Sequence, residues 1–127
     1  MTKELVLKTG YFRLARTESL KTDFWARVGA VLCKGSKPVS VGRNRPRKTN
    51  GLSYKYNPLK TLHAEIDVCM GVDRGSTIGA TVYTYRENKA GSLASSKPCK
   101  DCIRFLTDIG VHEVFYTHKE GIGRVRL

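Results

Sequence analysis

His63-Ala64-Glu65 and Pro98-Cys99-Lys100-Asp101-Cys102 constrain this fold more than any other residues in the chain. One imidazole and two thiols can share a metal ion only in a fold that brings the two clusters together. Cys99 and Cys102 stand at i and i+3, so on a helix they lie on one face. Both fall in the first turn of a helix that Pro98 is suited to open. The positive end of that helix dipole favours the thiolate form that a metal requires. His63 stands at the start of a second expected helix. The chain is therefore expected to set two helix N-termini side by side.

Two thiolates and a neutral imidazole offset the charge of a zinc ion and leave its fourth tetrahedral position open to water. Water held there ionises near neutral pH. Glu65 is placed to handle its protons. In water a glutamate is too acidic to be a good base at neutral pH, but burial and a proton-sharing neighbour can shift it. The expected chemistry has Glu65 take a proton from the zinc water, deliver it to a ring nitrogen, and then protonate a departing amine. The hydroxide attacks the carbon that bears the amine. A closed structural zinc site would need a fourth side chain. His112, His118, Cys33 and Cys69 are available for that, yet none has partner spacing. Cys33 and Cys69 read as small buried hydrophobes, and His112 and His118 as surface or strand-end residues.

The periodicity predicts a first helix over about 11–22 and a strand over 27–32. A turn at 34–37 leads to a second strand over 38–42, making a hairpin. A long basic loop follows over 43–60, with Pro46, Asn50-Gly51 and Asn57-Pro58 as turn signals. A helix is expected from 61 or 62 to about 72, a third strand over 80–85, and a polar connector over 86–97. The Cys99 helix is expected to run to 109 and end at Gly110, with a fourth strand over 113–117. If the tail over 122–127 is a fifth strand, its short connector makes it antiparallel to the fourth; a frayed tail is the alternative.

The 127 residues fit one domain, 1–127, and a hydrophobic content of 40% with 27% charged residues is an ordinary globular balance. The chain holds no apolar run of roughly 18 residues and no export signal, which predicts a cytoplasmic protein with no membrane contact and no disulfide framework. The formal net charge is +12. No acidic residue occurs between Asp23 and Glu65, a stretch that includes Arg27, Arg43, Arg45, Arg47, Lys48, Lys55 and Lys60. Such a field attracts polyanions or phosphorylated substrates. Tyr54 and Tyr56 interleave with these charges as stacking candidates. Phe24, Trp25 and most of the strand aromatics read as core.

The ordered pair H-x-E and P-C-x-x-C resembles the signature of the zinc-dependent nucleobase deaminases, and the order of elements is similar to the cytidine/deoxycytidylate deaminase superfamily over nearly the whole chain. The resemblance implies a three-layer α/β/α fold with a central mixed sheet of four to five strands and the zinc site at two helix N-termini. It implies His63, Cys99 and Cys102 as zinc ligands and Glu65 as the catalytic proton shuttle. Family members often carry a sugar-contacting Asn after the second strand, which is Asn44 here; Arg43, Arg45, Ala64 and Tyr116 complete the candidate substrate contacts. Ile103-Arg104-Phe105 after the cysteines departs from the tRNA adenosine deaminases, and Ser95-Ser96-Lys97 departs from the Ser-Trp-Ser of the polynucleotide cytidine deaminases. The chain looks most like small viral or phage-type members. The implied substrate is a cytosine base in a deoxycytidine nucleotide or in single-stranded nucleic acid. Adenosine deamination, or an inactive basic zinc module that binds nucleic acid, is the alternative. Self-association is common in the family, so a homo-oligomer is a candidate assembly.

Overall fold

Lys34-Gly35-Ser36-Lys37 reverses the chain, with Gly35 at φ 64°, and joins β1 (Val28–Lys34) to β2 (Lys37–Arg43) as the expected antiparallel hairpin. The structure is a computed structural model that describes residues 1–22, 25–45 and 62–127. Three more strands, β3 (Thr81–Arg86), β4 (Glu113–His118) and β5 (Gly121–Arg126), complete one five-stranded sheet in the order β2-β1-β3-β4-β5. β3 runs antiparallel to β1 and parallel to β4. The crossover between β3 and β4 carries the helix α5, defined below. β5 returns antiparallel to β4, pairing Val114 with Val125, so the tail forms the expected strand. Pro38, which lacks an N–H for a ladder, sits on the edge strand β2, where it is tolerated.

Helices cover both faces: α1 (Lys3–Val6) and α2 (Gly10–Ser19) on one, α3 (Ala64–Asp67), α4 (Arg74–Thr77) and α5 (Lys100–Asp108) elsewhere in the crossings. Alternation along β1 sets the layers. Ala30 and Leu32 pack with Val82, Val114, Ala64, Val68 and Leu106. Val31 and Cys33 turn the other way, towards Val6, Phe12, Ala15 and Tyr85. Two glycines permit the close layering. A Cβ on Gly29 would lie 1.9 Å from the Ala15 carbonyl oxygen, and one on Gly42 would lie 2.5 Å from the Val68 nitrogen.

Several expectations are corrected. The first long helix starts and ends earlier than the 11–22 reading, and α1 precedes it, capped by the Thr2 hydroxyl accepting from Leu5 N at 3.2 Å. The helix expected to run to about 72 is a single α-turn, α3. After it the backbone closes i→i+3 bonds, Cys69 N to Ile66 O and Met70 N to Asp67 O, and Gly71 at φ 76° ends the run. Asp73, just past the expected helix end, caps a further helix, α4, through its carboxylate, which accepts from Ser76 N at 2.9 Å. Trp25, expected in the core, is 75% exposed. Cys33 and Cys69 are buried as expected, and burial pushes their thiols up to about 11 and about 12. The basic loop over 46–60, with Tyr54 and Tyr56, lies outside the described residues, as does Phe24. Among the described residues, no helix is long and apolar enough to cross a membrane.

Candidate active site

His63 is the N-cap of α3 and Cys99 the N-cap of α5; α5 opens at the cysteine motif as expected, whereas α3 opens at Ala64, after the expected start at 61 or 62. The Cys99 sulfur accepts from the Cys102 backbone N–H at 3.4 Å, which caps α5 and fixes the direction of the thiol. His63 Nδ1 lies 3.7 Å from Cys99 Sγ and 3.3 Å from Cys102 Sγ. All three ligand atoms fall within 4.8 Å of one another. For zinc, Zn–S of about 2.3 Å and Zn–N of about 2.05 Å at a tetrahedral angle place S and N about 3.6 Å apart. The two N–S separations lie close to that value on either side, so the triad fits such an ion. Among the described residues, no other group of three or more such side chains is so arranged.

The protonation of the triad points the same way. The Cys102 thiol donates to the Cys99 sulfur, and with help from His63 and the Cys102 backbone this outweighs burial and brings Cys99 down to about 4. Sharing that proton, together with burial, pushes Cys102 well up. The hydrogen bond to Cys99 holds His63 above its ordinary value, against the effect of burial. Two sulfurs, one imidazole and a shared proton make a site that a divalent cation can occupy by displacing the proton.

Glu65 is buried beside the triad and touches the Cys102 thiol. Burial pushes its carboxyl above the usual carboxylate range, which the neighbouring His63 only partly opposes. A carboxyl shifted upward in this way is a better proton acceptor than a glutamate in water.

A cavity of about 210 Å³ opens over these groups and is lined by Ala26, Val28, Asn44, His63, Ala64, Glu65, Arg86, Ser95, Ser96, Lys97 and Cys99. Asn44 and Ala64, two of the candidate substrate contacts, are among its lining residues. The Asn44 side chain accepts from Val28 N at 3.0 Å and donates to the Ala26 carbonyl, so it also fixes the cavity wall at the start of β1. Arg43, Arg45 and Tyr116 are not among the described lining residues. Arg43 turns to Glu18 at 3.3 Å, and Arg45 pairs with Asp67 at 2.9 Å. Tyr116 covers Gly123 of the neighbouring strand β5. The sequence reading did not single out Arg86 or Lys97 as site residues. Both sit in a stretch read as a polar connector, and their one available signal was position: Arg86 directly follows an expected strand, and Lys97 directly precedes Pro98.

The connector is built as a ledge. The buried hydroxyls of Thr84, Ser96 and Thr117 bind one another, with Thr84 Oγ1 to Ser96 Oγ at 2.9 Å and Ser96 Oγ to Thr117 Oγ1 at 3.1 Å. Ser96 Oγ also accepts from Thr117 N at 2.8 Å. Thr117 Oγ1 in turn accepts from Arg86 N at 3.1 Å. This network anchors the segment that leads into Pro98 and Cys99.

Comparison with known proteins agrees with this geometry. No curated protein matches the chain by sequence. Among solved structures, the chain is similar to a dCMP deaminase from the cyanophage S-TIM5, with 25% identity and a TM-score of 0.58 over 90% of this chain and 82% of that one. It also shares the fold of a cytidine deaminase from Burkholderia pseudomallei, with 19% identity and a TM-score of 0.66 over 99% of this chain and 93% of that one. A family model, the cytidine and deoxycytidylate deaminase zinc-binding region, matches residues 8–118. That match spans both sequence clusters and the sheet that brings them together, and on that extent the chain belongs to the cytidine and deoxycytidylate deaminase family, hydrolases acting on cyclic amidines.

Proposed function

We propose that the protein is a zinc-dependent hydrolytic deaminase that converts a cytosine base to uracil, in a deoxycytidine nucleotide or in single-stranded nucleic acid. The observation that carries this reading is the convergence of His63, Cys99 and Cys102 beside a buried Glu65, all but Cys102 lining one cavity. His63, Cys99 and Cys102 are the residues that would hold the zinc. When bound, the ion lowers the pKa of a water molecule to near neutrality and so supplies the nucleophile.

Glu65 would accept the proton that the nucleophile gives up and pass it to the ring nitrogen next to the amine-bearing carbon. The new C–O bond forms as the ring C=N bond becomes a single bond. Glu65 then carries the remaining hydroxyl proton to the amine, the C–N bond breaks, and ammonia and uracil leave. One water is consumed for each ammonia released. Asn44 and Ala64 are assigned to substrate contact, because both line the cavity next to Glu65. The reaction is placed in the cytoplasm, where thiols stay reduced; Cys99 and Cys102 must be reduced to bind the ion, and both are free cysteines here.

The test is ammonia release from dCMP and from a single-stranded oligonucleotide by zinc-loaded protein. Glu65→Gln is expected to lower kcat by about 10²–10⁴-fold while retaining one zinc per chain. Absence of ammonia from both substrates, with salt-dependent binding to the oligonucleotide, would establish the inactive binding module instead. Activity that survives Glu65→Gln would remove the carboxyl from the mechanism.

A further inference from the structure

Within the deaminase reading, on which this step rests, we infer that Arg86 and Lys97 form a phosphate subsite at the cavity and select a free mononucleotide over both the nucleoside and an internal residue of a polynucleotide. Most arginines that approach this side of the sheet from β2 are already neutralised. Arg43 is held by Glu18 and Arg45 by Asp67. Arg86 and Lys97 line the cavity itself, and no carboxylate among the described residues pairs with either. Among the described residues, the one polar side-chain contact of Arg86 is a donation from Nη1 to the Ser95 carbonyl at 3.4 Å, and a guanidinium offers five N–H donors. Among the described residues, the sole acid that lines the cavity is Glu65, which is buried and assigned to the proton chemistry.

The two cations belong to one rigid corner. Arg86 N is tied to Thr117 Oγ1, Ala94 N to Arg86 O at 2.9 Å, and Ser96, the residue before Lys97, is fixed by Thr84 and Thr117. Positioning like charges together without a counter-ion raises the free energy of the empty site, and an arriving anion relieves it. Charge matching then chooses the anion. A 5′-phosphate monoester carries about −1.5 to −2 at neutral pH, because its second pKa is about 6. A phosphodiester carries a single charge. Size agrees with this choice: the cavity of about 210 Å³ is below the roughly 300–1,000 Å³ of sites that engulf larger ligands. It accepts one base and its sugar, with the phosphate at the cationic rim.

The experiment compares kcat/KM of the zinc-loaded protein for dCMP, for deoxycytidine and for a short single-stranded oligonucleotide containing one cytosine. Calorimetric binding of dUMP and of deoxyuridine supplies a readout independent of turnover. The native protein is expected to prefer dCMP over deoxycytidine and dUMP over deoxyuridine by at least about 10²-fold. Arg86→Ala and Lys97→Ala are each expected to cut both ratios by about 10-fold or more, the usual scale of one charge-assisted phosphate contact. Arg86→Lys should keep part of the preference, which a mere folding defect would not do. Equal binding of dUMP and deoxyuridine by the native protein would overturn the subsite even if deamination is confirmed. Faster turnover of the oligonucleotide than of dCMP would also overturn it. A strong dUMP preference with no ammonia from any substrate would uphold the subsite and sink the deaminase reading, so the two failures are distinct.

Discussion

Arg86 and Glu87 are neighbours in sequence and opposites in circumstance. Glu87 receives Arg16 Nε at 2.7 Å, Lys3 Nζ at 3.2 Å and the Tyr85 hydroxyl at 3.0 Å, binding α1 and α2 to the sheet. Burial acts to raise the Glu87 carboxyl, but the bonds from Arg16, Tyr85 and Lys3 outweigh it and hold the group below the ordinary range. Arg86 lines the cavity, and no carboxylate among the described residues pairs with it. At this end of the central strand β3 the charge of Glu87 is consumed in holding the structure together, whereas in the proposed subsite the charge of Arg86 is kept for a ligand. A cation with a carboxylate partner is part of the fold; a cation held in place without one stores attraction for something that arrives from outside.

The contrast can be broken most severely at Ser96. Ser96→Ala removes the acceptor of the buried Thr117 N–H and the partner of Thr84. Leaving such groups unsatisfied is expected to cost about 1–3 kcal/mol, read from urea unfolding. Because the ledge carries Lys97 towards Cys99, kcat/KM should fall as well, under conditions where the variant is fully folded. A stability loss with unchanged kcat/KM would confine the network to the fold.

The effect expected at Glu87 is smaller and of the opposite kind. Glu87→Gln should cost about 1–2 kcal/mol, since its partners are partly exposed, and should leave the preference for dCMP over deoxycytidine unchanged. Its pH dependence has a defined sign. A carboxyl held low in the folded state contributes stability that is complete above its ordinary value of about 4.5. That contribution is lost as pH falls through the lowered folded value. The native melting temperature should therefore fall on acidification from about pH 5, and the slope should be shallower in Glu87→Gln. Equal slopes would mean that the cluster does not stabilise the fold. The smallest expected effect sharpens the same contrast with a rim pair. Glu113 and Arg124 join β4 to β5 in an exposed ion pair at 2.5 Å. Glu113→Gln should change stability by less than about 1 kcal/mol; a loss as large as that at Glu87 would erase the distinction between a single ion pair and a carboxylate that receives three donors.

Much of the fold was legible because its signals are local. Alternation in 27–32 and the Gly35 turn specify a hairpin that forms from adjacent residues. The brief connector after β4 leaves β5 only an antiparallel return. The misreadings also have local causes. Met70 and Val72 continue an apolar pattern, so the sequence reads as a longer helix than α3, but Asp67 is drawn away to Arg43 N and Arg45, and the backbone tightens into i→i+3 turns. Trp25 was assigned to the core by residue type, and the tertiary structure leaves it outside.

What the sequence determined by itself is the make-up of the candidate metal triad and of the carboxyl beside it, because ligand type, the i, i+3 spacing of the cysteines and the helix-start positions of His63 and Cys99 are properties of short segments. What only the tertiary structure decided is which charges remain. Arg43 and Arg45 were candidates for the substrate, yet Glu18 and Asp67, each more than twenty residues away in the chain, meet them in space. Glu87 is neutralised by Arg16 across a separation of 71 residues, while its neighbour Arg86 meets no carboxylate among the described residues. A sequence counts charges; ion pairing falls off steeply with distance in space, and that distance exists only once the chain has folded.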